Sequence, residues 1–306
     1  MSRERWPNLF IVGAAKAGTT SLYHYLARHP EIYMAPVKEP HFFSQIRPTP
    51  NLEPFFPHVV DQEAYLSLFA AARAEKYRGE ASTSYLWDHA AADAIQATCR
   101  EAKIIIILRE PRDRAYSHYW NDVREGIERR SFDDAISEEV SGPPGQWGAS
   151  SVYVDVGFYA DRVERYLEKF KSNVLILFFE EFVADVPGTV ERVFTFLAVD
   201  PGLAAQIEAE ASNPFALPRN ALSGRLLGSG SLRSVARNVV PPRARAYGRK
   251  LLTIRAQKPA MSADIRQRLL EIYESDVRRL TEVVGRQAPW PEFGGRRYGN
   301  ASFRES

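Results

Sequence analysis

Residues 9–20, LFIVGAAKAGTT, limit the possible folds more than any other stretch of the chain. An apolar run from Leu9 to Val12 enters a turn bounded by Gly13 and Gly18 and leaves it through Thr19 and Thr20 into a helical pattern. A strand that opens through a glycine turn into a helix is the first half of a βαβ unit. Its turn presents backbone N–H groups at a helix start, where the helix dipole favours an anion. Two further continuous apolar runs, Ile104 to Leu108 and Val174 to Phe179, have the character of strands buried on both faces. Helical patterns separate the runs, over Thr19 to Ala27, Asp61 to Ala72, Arg112 to Arg124, Tyr159 to Phe170 and Val190 to Leu197, and Met261 to Val284 adds another. Strands alternating with helices predict right-handed crossovers and a doubly wound α/β sheet, with a ligand at the carboxyl ends of the strands.

At 306 residues and 45% hydrophobic, the chain can bury roughly three quarters of its unfolded surface, which predicts one large domain spanning residues 1–306. The formal charge of +2 provides no global field for nucleic acid, and no nucleic-acid partner is expected. The local exception runs from Ala211 to Ala263, which has ten Lys or Arg and no Asp or Glu. With Gly, Ser and Pro-Pro among its arginines, the part at about 211–260 reads as a basic, mobile insert or flap. Its partner could be an anionic acceptor, a membrane surface touched peripherally, or only water. Cys99 is the only cysteine, which excludes an intramolecular disulfide and predicts a buried small apolar residue in a reducing compartment. The sequence begins without a charged n-region followed by an apolar h-region, and no apolar run approaches the roughly 18 residues of a membrane span. A cytoplasmic protein is the expectation.

Chemistry concentrates at the ends of the first two apolar runs. The glycine turn departs from the GxxxxGK[ST] spacing of a nucleoside-triphosphate loop, because Thr19 and Thr20 follow Gly18 and the lysine, Lys16, lies inside the turn. Arg109 ends the second run, Pro111 suits a helix start, and Ser117 falls about two helical turns beyond Arg109. A strand-end arginine and a helical hydroxyl can share one phosphate through charge-assisted bonds. The alternative is that Arg109, Arg112 and Arg114 pair with Glu110 and Asp113 on the surface. The histidines (His24, His29, His41, His58, His89 and His118) show no HExxH or paired ligand spacing. Except for His41, they read as structural or surface residues.

Taken together, these segments resemble the sulfotransferases that use 3′-phosphoadenosine 5′-phosphosulfate (PAPS). The glycine turn is similar to that family's 5′-phosphosulfate loop, and Arg109 to Ser117 to its 3′-phosphate element. The segment from Lys38 through Glu39, Pro40, His41 and Phe42 to Phe43 is similar to one found in members that act on sugars, including the heparan sulfate branch. A looser likeness runs from Gly157 through Tyr166, Phe170 and Glu181 to Leu197, and Asn213 to Arg219 is similar to a nucleotide-covering loop of bacterial members. The resemblance implies a P-loop-like three-layer α/β fold with a central parallel sheet and helices on both faces. It also implies that Lys16, Ala17, Gly18, Thr19 and Thr20 wrap the 5′-phosphosulfate, that Arg109 and Ser117 hold the 3′-phosphate, and that Arg219 closes over the nucleotide.

In that family Lys16 would stand near the bridging oxygen, where negative charge grows as the bond breaks. An acceptor hydroxyl needs a general base, and the E-x-H-F-F pattern assigns this to Glu39, with His41 as the alternative base. The alternative for this loop is that Glu39 pairs with Lys38 while His41 packs with Phe42 and Phe43. The transferred sulfuryl group carries less charge than a phosphoryl group, so no metal is expected. The expectation is a sulfotransferase that moves a sulfuryl group from PAPS to a hydroxyl on a sugar, glycolipid or glycosylated small molecule, releasing adenosine 3′,5′-bisphosphate. The rivals are a P-loop kinase of a small metabolite and a non-catalytic nucleotide-binding protein. Loops Gln45 to Val60 and Ser141 to Val156, with Trp147 and Tyr153, could shape the acceptor pocket or simply pack.

Overall fold

Five strands, all paired in parallel, form the central sheet of the computed structural model, which describes residues 6–46, 48, 58–145, 152–207, 216–230, 232 and 240–294. In chain order the elements are β1 (Leu9–Gly13), α1 (Thr19–Leu26), β2 (Ile32–Met34), α2 (Gln62–Ser67), β3 (Tyr77–Ala81), α3 (Ser84–Trp87), α4 (Ala91–Thr98), β4 (Lys103–Leu108) and α5 (Pro111–Glu125). There follow α6 (Phe132–Ser141), α7 (Ala160–Phe170), β5 (Val174–Phe178), α8 (Phe179–Ala184) and α9 (Val186–Leu197). The last part comprises β6 (Ala216–Pro218), α10 (Ala221–Leu227), α11 (Pro242–Leu252), β7 (Thr253–Arg255) and α12 (Ala263–Val284).

The strand order is β2-β3-β1-β4-β5. β1 therefore lies between β3 and β4, where the winding of the chain reverses, and that reversal opens a crevice at the strand ends. β1 and the run Ile104 to Leu108 are fully buried, as their unbroken apolar sequence predicts. One hydrophobic cluster takes in these strands, Tyr166 of α7, Phe194 of α9, and Leu269, Tyr273 and Leu280 of α12. Cys99 is buried within it.

Two sequence expectations change. The helix foreseen over Asp61 to Ala72 is regular only over Gln62–Ser67, because the backbone from Leu68 onward tightens into i to i−3 bonds such as Phe69 N–H to Leu66 O. β5 stops at Phe178, and Phe179 opens α8. Within the basic segment, α10 buries Ser223 and Leu227 and lies against α5. Its approach there is so close that a Cβ on Gly228 would stand 2.4 Å from the Gly126 carbonyl oxygen. β6 and β7 pair antiparallel beside it.

Candidate active site

Three strand ends converge on the glycine turn. The Ala14 N–H donates to the Ile107 carbonyl at 2.6 Å, tying the turn to β4. Lys16 then takes a left-handed φ of 66° and Gly18 one of 92°, a conformation that glycine adopts without penalty and lysine does not. A Cβ on Gly18 would lie 3.1 Å from the Phe179 ring, so the turn packs directly on the start of α8. No side chain caps α1 and no acid stands in its first turn, which leaves the helix start suited to an outside anion. Ala17 and Thr19 are buried, whereas Lys16, Gly18 and Thr20 are partly exposed.

Arg109 leaves β4 and donates from Nη1 to the Lys16 carbonyl at 3.0 Å, with its guanidinium 4.5 Å from the centre of the Phe179 ring. The alternative surface-pairing expectation fails for this arginine. Arg112 takes Glu110 at 2.6 Å, Asp113 takes Arg266 at 2.9 Å, and Arg114 is buried against the Tyr153 carbonyl. Among the described residues Arg109 makes no ion pair. Burial pushes its pKa down, despite help from Asp113 and Glu180.

Lys16 Nζ donates to Asn121 Oδ1 at 3.0 Å, and Arg124 Nη2 donates to the same oxygen at 2.8 Å. Burial first, then the nearby Arg124 and Arg109 charges, bring the Lys16 ammonium down to about 8. Lys16 and Arg124 share one neutral amide oxygen, Arg124 also pairs with Glu125 at 3.4 Å, and Arg109 sits on the adjoining carbonyl, a cationic cradle suited to an anion. Ser117 lies one helical turn before Asn121 on α5, half-buried.

Lys258, which sequence reading left within the general basic stretch, also belongs here. Its ammonium sits 4.4 Å from the Tyr116 ring centre, and burial followed by the Arg109 charge lowers it to about 8. Arg219, by contrast, is exposed, and what the structure shows of it is a backbone N–H donating to Leu252 O at 2.9 Å. It is not brought into contact with Arg109 or Lys16. Of the nucleotide-covering segment, residues 213–215 lie outside the described part, as does Trp147. Tyr153 is no pocket wall: it is fully buried, with its hydroxyl bonded to Asp122 at 3.1 Å and Glu128 at 3.2 Å.

The second group of site residues lies beyond the end of β3. The Glu39 N–H donates to the Ala81 carbonyl at 2.9 Å, and Glu39 and His41 take left-handed φ values of 62° and 54° around Pro40. The Glu39 carboxylate accepts from Lys38 Nζ at 2.6 Å and Thr83 Oγ1 at 3.0 Å, and lies 3.3 Å from His41 Nε2. Burial alone would raise its pKa; the Lys38 and His41 charges and the Lys38 and Thr83 bonds outweigh it and hold the carboxyl at about 2. The His41 side chain is 7% exposed against 27% for Glu39, and its Nδ1 meets Ser84 Oγ at 2.6 Å. His41 thus sits behind Glu39 with both ring nitrogens engaged, while Glu39 is the member that reaches open space. No hydrogen bond among the described residues joins this group to Lys16 and Arg109, yet the two groups occupy the ends of neighbouring strands.

Among the described residues no three His, Cys, Asp or Glu side chains gather as they would to hold a metal ion, and no helix is long and apolar enough to cross a membrane.

A parallel sheet with a lysine-bearing glycine turn on its central strand and an arginine at the end of the next defines an anion-handling α/β class. Residues 7–212 match the family described as Sulfotransferase domain, and the chain belongs to it. A solved structure, a sulfotransferase from Alicyclobacillus acidocaldarius, aligns with a TM-score of 0.69 at 30% identity, covering 92% of this chain and 97% of that one. Mouse carbohydrate sulfotransferase 15 is 29% identical over 251 residues, covering 64% of this chain. Human heparan sulfate glucosamine 3-O-sulfotransferase 6 is 29% identical over 201 residues, also covering 64% of this chain. The chain covers only 44% and 54% of the lengths of those two relatives.

Proposed function

We propose that this protein transfers a sulfuryl group from PAPS to a hydroxyl of a sugar-bearing acceptor, whether a free sugar, a glycolipid or a glycosylated small molecule. The observation that carries the reading is the bond from Arg109 to the Lys16 carbonyl, which sets two cationic elements side by side at adjoining strand ends. A nucleotide with charge at both its 5′ and 3′ positions matches such a double site, and an ordinary adenine nucleotide leaves half of it unused. When bound, PAPS supplies the activated sulfuryl group and a good leaving phosphate.

In this reading the backbone of Ala17 to Thr20 holds the 5′ end. Arg109, Ser117 and Lys258 hold the 3′-phosphate, and Arg219 covers the nucleotide from the exposed rim. Lys16 moves from Asn121 to neutralise the charge that develops on the leaving oxygen, where a cation in a desolvated turn acts strongly. Glu39 takes the proton of the acceptor hydroxyl. Held ionised by Lys38, it is ready to accept at any working pH, and a sulfate placed beside it would raise its proton affinity towards the useful range. His41 orients Glu39 and is itself too enclosed to be the primary base. The partial identity with carbohydrate and heparan sulfate sulfotransferases supports a glycan acceptor.

The test is calorimetric binding of adenosine 3′,5′-bisphosphate against ADP, followed by transfer of labelled sulfur from PAPS to a panel of glycans and glycolipids. Micromolar binding of the bisphosphate, at least tenfold tighter than ADP, is expected. Equal affinity for the two, or turnover of magnesium ATP instead, would overturn the reading in favour of a kinase.

A further inference from the structure

Strand β3, between β2 and β1, buries a carboxylate that the reaction does not use. Glu80 has no exposed surface, and it accepts three hydroxyl hydrogen bonds: Tyr65 at 2.6 Å, Tyr85 at 2.8 Å and Ser82 at 2.7 Å. Two of those hydroxyls face onward into the loop that carries Glu39. Ser82 Oγ accepts the backbone N–H of His41 at 3.1 Å, and the Tyr85 hydroxyl accepts that of Phe43 at 3.2 Å. Tyr65 gives its proton to the same carboxylate, but among the described residues its hydroxyl takes no backbone N–H; its ring stacks on Phe42 with centroids 4.1 Å apart.

The polarity of this arrangement matters. A hydroxyl has one proton and two lone pairs, and an ionised carboxylate can only accept. In the observed geometry Ser82 and Tyr85 both give their protons to Glu80 and turn their lone pairs to the loop. The loop needs such anchoring, because Glu39 and His41 both sit in a left-handed conformation that side-chain-bearing residues rarely hold unaided. Burial raises the Glu80 carboxyl to about 7, and the three hydroxyl bonds work against that rise.

We propose that Glu80 is a positioning residue for sulfuryl transfer: through Ser82 and Tyr85 it fixes the backbone at His41 and Phe43 and so sets where the Glu39 carboxylate stands. The inference rests on Glu39 being the base. The three hydroxyls allow a controlled experiment, since Tyr65→Phe removes one bond to Glu80 without touching a loop anchor, whereas Tyr85→Phe and Ser82→Ala each remove both.

Turnover number, acceptor KM, affinity for adenosine 3′,5′-bisphosphate and melting temperature would be measured for these three variants and for Glu80→Gln. Amide hydrogen exchange at His41 and Phe43 would be read alongside. Tyr85→Phe, Ser82→Ala and Glu80→Gln should lower kcat on the order of 10- to 100-fold, the range that loss of a partner orienting a metal ligand costs, with nucleotide affinity within about twofold of wild type. Amide exchange at the freed N–H should quicken in the same three. Tyr65→Phe should keep kcat within about twofold even where its melting temperature falls as far as that of Tyr85→Phe.

A Tyr65→Phe loss equal to that of Tyr85→Phe, or wild-type kcat in both Ser82→Ala and Tyr85→Phe, would sink the proposal. Should Glu80→Gln fail to fold, the comparison among the hydroxyl variants still decides. If the wild-type protein proves not to transfer sulfuryl groups, the proposed function falls. The anchoring is then judged by exchange alone, and unchanged protection at His41 and Phe43 in the variants would overturn it.

Discussion

The loop from Glu39 to Phe43 and the segment from Ala216 to Lys258 lie at opposite ends of a scale of constraint. The loop is tied at many points: its backbone to Ala81, Ser82 and Tyr85, and its side chains to Lys38, Thr83 and Ser84. The later segment docks through Ser223 and Leu227, while Leu222, Leu226, Tyr247, Leu251 and Ile254 remain exposed. The contrast fits the division of labour proposed here. A base must be placed within a fraction of an ångström to matter, because misplacement by about 1 Å can cost on the order of 10²-fold. Cations that grip a phosphate act over longer distances and can come from a more open element.

That contrast predicts that changes in the constrained region lower rate and changes in the open one lower affinity. The largest effect is expected from Glu39→Gln, which should reduce kcat by about 10² to 10⁴, the usual range for removing a general base, with adenosine 3′,5′-bisphosphate affinity nearly unchanged by calorimetry. Parallel loss of binding would make Glu39 structural and break the comparison. Lys16→Ala should follow, with turnover down by roughly 10² to 10³; a loss under about tenfold would remove the lysine from its assigned role.

Arg109→Ala tests the junction between the two regions. One charge-assisted bond contributes about 1.5 to 3 kcal/mol, so bisphosphate affinity should fall some 10- to 100-fold while ADP affinity hardly moves. Lys258→Ala should weaken the bisphosphate less, by about 10-fold or under, because this ammonium is one of several and partly open to water. The smallest effect sharpens the picture through pH. Lys16 and Lys258 both lose their protons near pH 8 in the free protein. A bound anion favours the protonated lysines and raises those values, so affinity is fully present below pH 8 and declines as pH rises towards 9. Titrating binding from pH 7 to 9 should show a shallower decline in Lys258→Ala than in wild type.

The sequence was most legible where burial is uniform. β1 and β4 could be read because strands covered on both faces must be apolar throughout, and a glycine turn after such a strand announces itself. β3 could not be read. Its sequence, YRGEA, looks like a surface segment, because its key inward side chain, Glu80, is satisfied by hydroxyls from Tyr65, Ser82 and Tyr85. The site divides in the same way. Lys16, Arg109, Glu39 and His41 stand in short local patterns, whereas Asn121 as the resting partner of Lys16, and Lys258 beside Arg109, are joined to the site across 105 and 149 positions.

By itself, then, the order of residues determined the strand, turn and helix at the start of the chain, the arginine that closes the second strand, and the family that those patterns indicate, because each is a local consequence of periodicity and backbone chemistry. Only the tertiary structure decided that Arg109 would make no ion pair among the described residues, that His41 would stand behind Glu39, and that a buried Glu80 would bond the hydroxyls that meet the loop. Whether a charge is paired, exposed or desolvated depends on what distant segments bring beside it.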